Sequence, residues 1–164
     1  MIRALIEAIA KRLPNPRVIY DREGGTPYLS RYYIFGAPKM PDGSAPFDEL
    51  GAPRVGIDDW ARYGVYLHKF HRSDDADDLH NHPWAWSFSI ILAGGYVEER
   101  LDDAMVADGL GGWHHRVFFS PPKRIEVRRL TAPSFNFIRE STFHRVDLIE
   151  ADAWTLFIAG PKVS

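Results

Sequence analysis

The residues best suited to chemistry lie in the stretch Leu79-His80-Asn81-His82-Pro83-Trp84. Residues i and i+2 of an extended chain project to one side. The imidazoles of His80 and His82 can then converge on one point, as two ligands of a transition metal must. Pro83 fixes the backbone just after the second histidine. A third histidine, His144, sits in a run that reads as a strand, Phe143 to Ile149. Val146 and Leu148 share its parity, and Arg145 and Asp147 take the other, so His144 is expected to face inward. Alone, each feature has a plain reading: two surface histidines at a loop end, and one hydrogen-bonded core histidine. Together, three neutral imidazoles suffice to bind a divalent metal with coordination positions left open.

The elements that would position these groups are mostly strands. At 164 residues the chain is expected to be one domain with a real core. Aromatic residues make up 13 % of it, which favours β-structure. With no cysteine, disulfides and thiolate metal sites are excluded, so a metal must use His, Asp or Glu; the absence of disulfides fits a cytoplasmic location. A net charge of −2 gives no pull toward nucleic acid or an anionic membrane. No apolar run approaches the roughly 20 residues of a membrane helix. Ile2, Leu5, Ile6, Ile9 and Leu13 recur at helical spacing, predicting an amphipathic helix over 2–13 that Pro14-Asn15-Pro16 ends. The helix would pack on the β-domain or on a partner subunit.

Short strands follow: 17–20, 28–35, 64–72, 86–92, 96–101, 113–119, 124–130, 134–138, 143–149 and 153–159. Residues 36–62, rich in Gly and Pro, read as a long irregular connection that is either mobile or a cover. In the strand 86–92, Ser87, Ser89 and Ile91 share a face, and two small polar residues on a buried strand suggest a cavity wall. Tyr66 and His68 on 64–72, and Tyr96 on 96–101, are further pocket candidates. His71 has the opposite parity to His68. Adjacent His114 and His115 point apart and cannot chelate as His80 and His82 do. Arg139 and Arg145 could bind an anionic substrate. The cluster Asp74-Asp75/Asp77-Asp78 lacks the Gly and terminal Glu of a calcium loop and reads as a solvated acidic loop. The whole predicts an all-β fold, a sandwich or small antiparallel barrel, led by one helix. Residues 1–16 form the helical lead, 17–62 strands and the long loop, and 63–164 the barrel core.

The arrangement resembles the cupin superfamily, whose fold is a double-stranded β-helix or jelly roll. His80, His82 and Gly94 match that family's first motif, and His144 matches the histidine of its second. The resemblance covers roughly residues 60–160. The family's leading Gly falls at Asp74, its Glu at Ser87, and Arg139, Ser141 and Leu148 replace its usual Pro, Gly and Asn. The resemblance implies a metal on His80, His82 and His144. A carboxylate ligand from elsewhere would be Glu98, which shares a face with Tyr96 on the strand after the turn; its plain reading is a solvated strand carboxylate. Some cupins, including thiol dioxygenases, hold iron with three histidines alone. The Ser-x-His-x-Tyr run of the thiol dioxygenases is missing after His144. The expected function is a small-molecule oxygenase using Fe(II), with Zn, Ni, Mn or Cu as alternatives. The other readings are an isomerase or epimerase, with or without metal, and a non-catalytic small-ligand binder. The resemblance also implies a homodimer. No residue set specifies the substrate.

Overall fold

Alternating apolar and polar residues give strands that bury one side, and antiparallel pairing joins them into two sheets. The computed structural model describes residues 2–14, 16–20, 25–40, 44, 46–47, 62–75, 79–101 and 126–163. Its elements are helix α1 (Ile2–Ala10) and strands β1 (Arg17–Tyr20), β2 (Pro27–Phe35), β3 (Gly64–Phe70), β4 (Trp86–Ala93), β5 (Gly95–Leu101), β6 (Glu126–Thr131), β7 (Ser134–Arg139), β8 (Phe143–Leu148) and β9 (Ala153–Ala159). One sheet runs β1-β2-β3-β9-β4-β7 and the other β6-β5-β8. The strands expected at 17–20 and 153–159 are present with those ends, and those expected at 28–35, 64–72, 86–92, 96–101, 124–130, 134–138 and 143–149 are present with shifted ends. The expected strand 113–119, with His114 and His115, and most of the loop 36–62 lie outside the described residues.

The chain changes sheet at four tight connections: β4 to β5, β6 to β7, β7 to β8, and β8 to β9. This wraps the two sheets around a shared interior. Ile91, Tyr96, Leu130, Val146 and Ala153 form a cluster drawn from both sheets. The first crossing needs Gly94, whose φ is +70°, and a Cβ there would lie 2.4 Å from the Asp152 carbonyl oxygen. Gly94→Ala is therefore expected to cost about 1–3 kcal/mol, since it combines left-handed backbone with a steric clash against rigid main chain. A denaturant titration showing an unchanged midpoint would contradict this account of the corner.

On its outer side the larger sheet carries the helix. Ile6 and Ala10 of α1 pack with Leu67, Ala93 and Trp154. A register shift between Ile91 and Ala93 turns Ala93 to the helix side, while Ser87, Ser89 and Ile91 face the interior. α1 uses only part of its apolar surface: Ile2, Leu5 and Ile9 stay exposed. No helix among the described residues is long and apolar enough to cross a membrane.

Candidate metal centre

Two strand rows build the wall of the site. Reading across the larger sheet, Arg31, His68, Thr155 and Ile91 are successive cross-strand partners, as are Tyr33, Tyr66, Phe157, Ser89 and Asn136. All project to the interior. The segment before β4 supplies the rest. It runs along the edge of β8 that β5 leaves free, a common way to cover an exposed strand edge. Asp74 N donates to Val146 O, and His80 and His144 exchange both backbone hydrogen bonds, at 3.0 and 2.8 Å. This single bridge puts the side chains of His80 and His144 next to each other. His82 is then fixed from the other end, where Trp84 bridges Lys162 and Val163 N donates to Pro83 O.

The three rings converge. One ligand atom from each of His80, His82 and His144 lies within 4.8 Å of the other two. The ring centroids are 4.9 to 5.6 Å apart. Nε2 of His82 and Nε2 of His144 are 2.9 Å apart. Two nitrogens each about 2.0–2.1 Å from one metal, at a right angle, would be separated by roughly 3 Å, so this pair fits a shared ion. Burial first, and then the neighbouring His144, His80, Arg31 and His68, hold the His82 imidazole well below its ordinary pKa. It is therefore neutral and available as a ligand near neutral pH.

Glu98 is brought to the site but stands behind it. It is fully buried, and Oε1 accepts His144 Nδ1–H and Asn136 Nδ2–H, each at 2.8 Å. Arg100 lies 3.3 Å from its other oxygen and also bonds Asn136. Burial pushes the Glu98 carboxyl up, but the His144 hydrogen bond and charge, with Arg100 and Asn136, outweigh it and leave the pKa below its ordinary value. The group of converging ligand atoms contains the three histidines and not Glu98. Its carboxylate instead fixes which nitrogen of His144 carries the proton, so that Nε2 faces the other rings. Carboxylate–histidine pairs of this kind orient metal-ligating imidazoles.

A cavity of about 320 Å³ opens beside the cluster, lined by the three histidines, His68, Ser89 and Tyr96 among others. This volume is at the low end of the range of roughly 300–1,000 Å³ for small-molecule sites. Of the expected pocket residues, His68, Ser89 and Tyr96 reach the cavity. Tyr66 lies one layer back, its ring 5.9 Å from that of His68 and 6.1 Å from that of Phe157. Ser87 is buried outside the cavity lining, its hydroxyl without a hydrogen-bond partner among the described residues. His71 turns away, toward Ser30.

Three side chains depart from the sequence-based expectation. Asp74 was expected on a solvated loop, yet its side chain is 5 % exposed, accepts Val146 N–H at 2.6 Å and lies 4.0 Å from His80 Nδ1. The strand-edge pairing buries it. Arg145 faces outward and holds Glu99 with two bonds of 2.9 Å, and Arg139 is exposed on β7. Neither lines the cavity. The arginine that does is Arg31, with Arg17 and Lys162. Arg31 was legible in principle, because it alternates with Leu29 and Tyr33 on the apolar parity of β2.

No protein-family model and no curated protein sequence matches the chain. Solved structures do. An iron(II) form of HppE superposes with a TM-score of 0.51 at 12 % identity, over 91 % of this chain and 57 % of that one. Hydroxypropylphosphonic acid epoxidase from S. wedmorenis gives 0.48 at 10 %, over 92 % and 56 %. KdgF from Halomonas sp. gives 0.45 at 13 %, over 83 % and 81 %. The chain thus spans somewhat over half the length of the epoxidase structures. Two rolled antiparallel sheets that superpose on the iron(II) HppE structure, with a three-histidine group of metal-ligating geometry at the cavity wall, give this chain the cupin fold.

Proposed function

We propose that this chain is a metal-dependent cupin enzyme that uses dioxygen on a small-molecule substrate, with Fe(II) held by His80, His82 and His144. The observation that carries the reading is the convergence of three imidazole nitrogens beside a cavity of ligand size. Bound there, a divalent metal would supply Lewis acidity and, as iron, electron transfer toward dioxygen. The chain's own groups do the rest. Glu98 holds the His144 proton on Nδ1. Trp84, Phe70 and Phe157 give the cavity apolar walls that disfavour water. His68, fully desolvated and beside Arg31, is kept neutral.

A metal-free isomerase has less support. His68 Nε2 already accepts Arg31 Nε–H at 2.9 Å, so such an enzyme would have to use one of the clustered imidazoles as its base, whereas the convergence of all three ligand nitrogens is what a metal ion requires. The homodimer and the cytoplasmic location belong to the same proposal, with the exposed Ile2, Leu5 and Ile9 as candidate dimer contacts.

The test is dioxygen uptake by iron-loaded protein against a panel of small organic acids, alcohols and ketones. Uptake should require iron and should vanish in His82→Ala. Substrate turnover that persists after complete chelation would overturn the reading in favour of the isomerase. Sedimentation equilibrium at the mass of one chain would remove the dimer.

A further inference from the structure

Arg31 is an unusual residue to find where it is. It lies on the central part of β2 and is 9 % exposed. Its guanidinium is stacked 5.0 Å over the Tyr66 ring and 5.6 Å over the Trp84 ring. Nε–H donates to His68. Among the described residues no carboxylate pairs with it, and its two Nη groups donate to no side chain or carbonyl, although the residue lines the cavity. Burying a cation without a counter-charge is costly, and proteins ordinarily pair or coordinate such groups. The aromatic faces compensate only in part: a cation over a ring contributes about 0.5–2 kcal/mol. Arg17 and Lys162 line the same cavity, as does the carboxylate of Asp74, which lies on the side of His80, 4.0 Å from its Nδ1. Burial, followed by the charges of Arg17 and Arg31, lowers the Lys162 ammonium pKa, as expected for cations crowded at one end. A divalent metal on the histidines would add positive charge.

We infer that this end of the cavity is the binding subsite for an organic oxyanion, whose two oxygens are taken by the Nη groups of Arg31. The inference rests on the proposed function for the identity of the remaining ligand, but not for the subsite. A guanidinium held against two neighbouring aromatic rings and tied through Nε–H to His68 presents its fork in one orientation, matched to the paired oxygens of a carboxylate or a phosphoryl group. The body of the ligand lies against Leu29, Phe70, Val146 and Phe157 and reaches toward the histidine cluster. The substrate class is thus a small acid with an apolar chain, anchored by its charged group at one end of the cavity and presenting its chain to the three histidines. The same argument explains why His68 is buried beside Arg31. A neutral imidazole accepting Nε–H fixes the guanidinium without cancelling its charge, whereas a carboxylate there would have occupied the site for good.

The experiment is calorimetric titration of the full chain with butyrate, butyl phosphate and butyramide, in metal-free and zinc-loaded forms. At least one anion should bind the metal-free form tenfold or more tightly than the neutral amide, and which anion does so separates the carboxylate from the phosphoryl source. In Arg31→Gln the preference should disappear, and zinc content should stay at the wild-type value. Arg31→Lys, which keeps the charge but not the fork, should retain a reduced preference. Equal binding of butyramide, no binding of either anion, or a preference that survives Arg31→Gln would overturn the inference. If Arg31→Gln fails to fold by circular dichroism, the charge selectivity of the wild-type protein decides alone. Failure of the metal reading is separate: it would appear as absence of zinc or iron in wild type while anion selectivity persists.

Discussion

His144→Ala should abolish stoichiometric metal binding while leaving the fold in place. The ring of His144 is the centre of the cluster: it is 4.9 Å from both other rings, and its Nε2 is 2.9 Å from that of His82. Removing it leaves His80 and His82, whose ring centroids are 5.6 Å apart. Two imidazoles alone hold a divalent ion far less tightly than three. The expected loss in affinity exceeds the roughly 10- to 100-fold typical for removing an outer-shell partner. The bridge to His80 is made by backbone atoms and survives the truncation, so the β8 edge should remain covered. His82→Ala should behave alike. Elemental analysis after purification, with far-ultraviolet circular dichroism as a control for folding, checks both. A His144→Ala protein that keeps a full equivalent of metal would remove the three-histidine centre from consideration.

Changes at Glu98 should separate metal tuning from stability. This carboxylate has no exposure and is shared among His144, Asn136 and Arg100. Truncation in Glu98→Ala strands a buried guanidinium and two buried N–H donors. Breaking a buried ionic pair in this way costs about 3–5 kcal/mol. For a domain of this size that is a drop in thermal midpoint of roughly 6–20 °C. Glu98→Gln keeps the shape and one acceptor, so it should fold, but it no longer places a negative charge on His144 Nδ1–H. Its metal affinity should fall about 10- to 100-fold in a chelator competition. The acid dependence follows from the direction of the shift. Glu98 has a folded-state pKa below its ordinary 4.5. Its contribution is therefore fully present above that value and is lost as pH falls through the folded-state pKa. The stability gap between wild type and Glu98→Gln should narrow in acid below about pH 4.5, and a gap independent of pH there would show that the carboxylate charge contributes nothing.

Much of this was legible before any coordinates. Periodicity placed the nine described strands and the helix, because a strand with one buried face must alternate and a helix must repeat near every third or fourth residue. Parity put His144, Val146 and Ser89 toward the interior, and all three line the cavity. Parity said less about Ser87 and Tyr66, which face inward yet lie outside the cavity. Facing the interior is a local property, whereas bordering empty space depends on which side chains from other strands fill the gap.

The chain's chemistry was thus set by sequence: which residues could ligate, that no thiol could, and which side of each strand they occupy. Tertiary structure alone decided the partnerships. Glu98 came to the back of His144 because β5 and β8 are neighbours in register, Glu98 opposite Val146. Asp74 was buried because its segment pairs with the edge of β8. Arg31, not Arg139 or Arg145, came to line the cavity because β2 lies beside β3 on the inner face. Each of these follows from strand order and register, which join residues dozens of positions apart and leave no trace in local spacing.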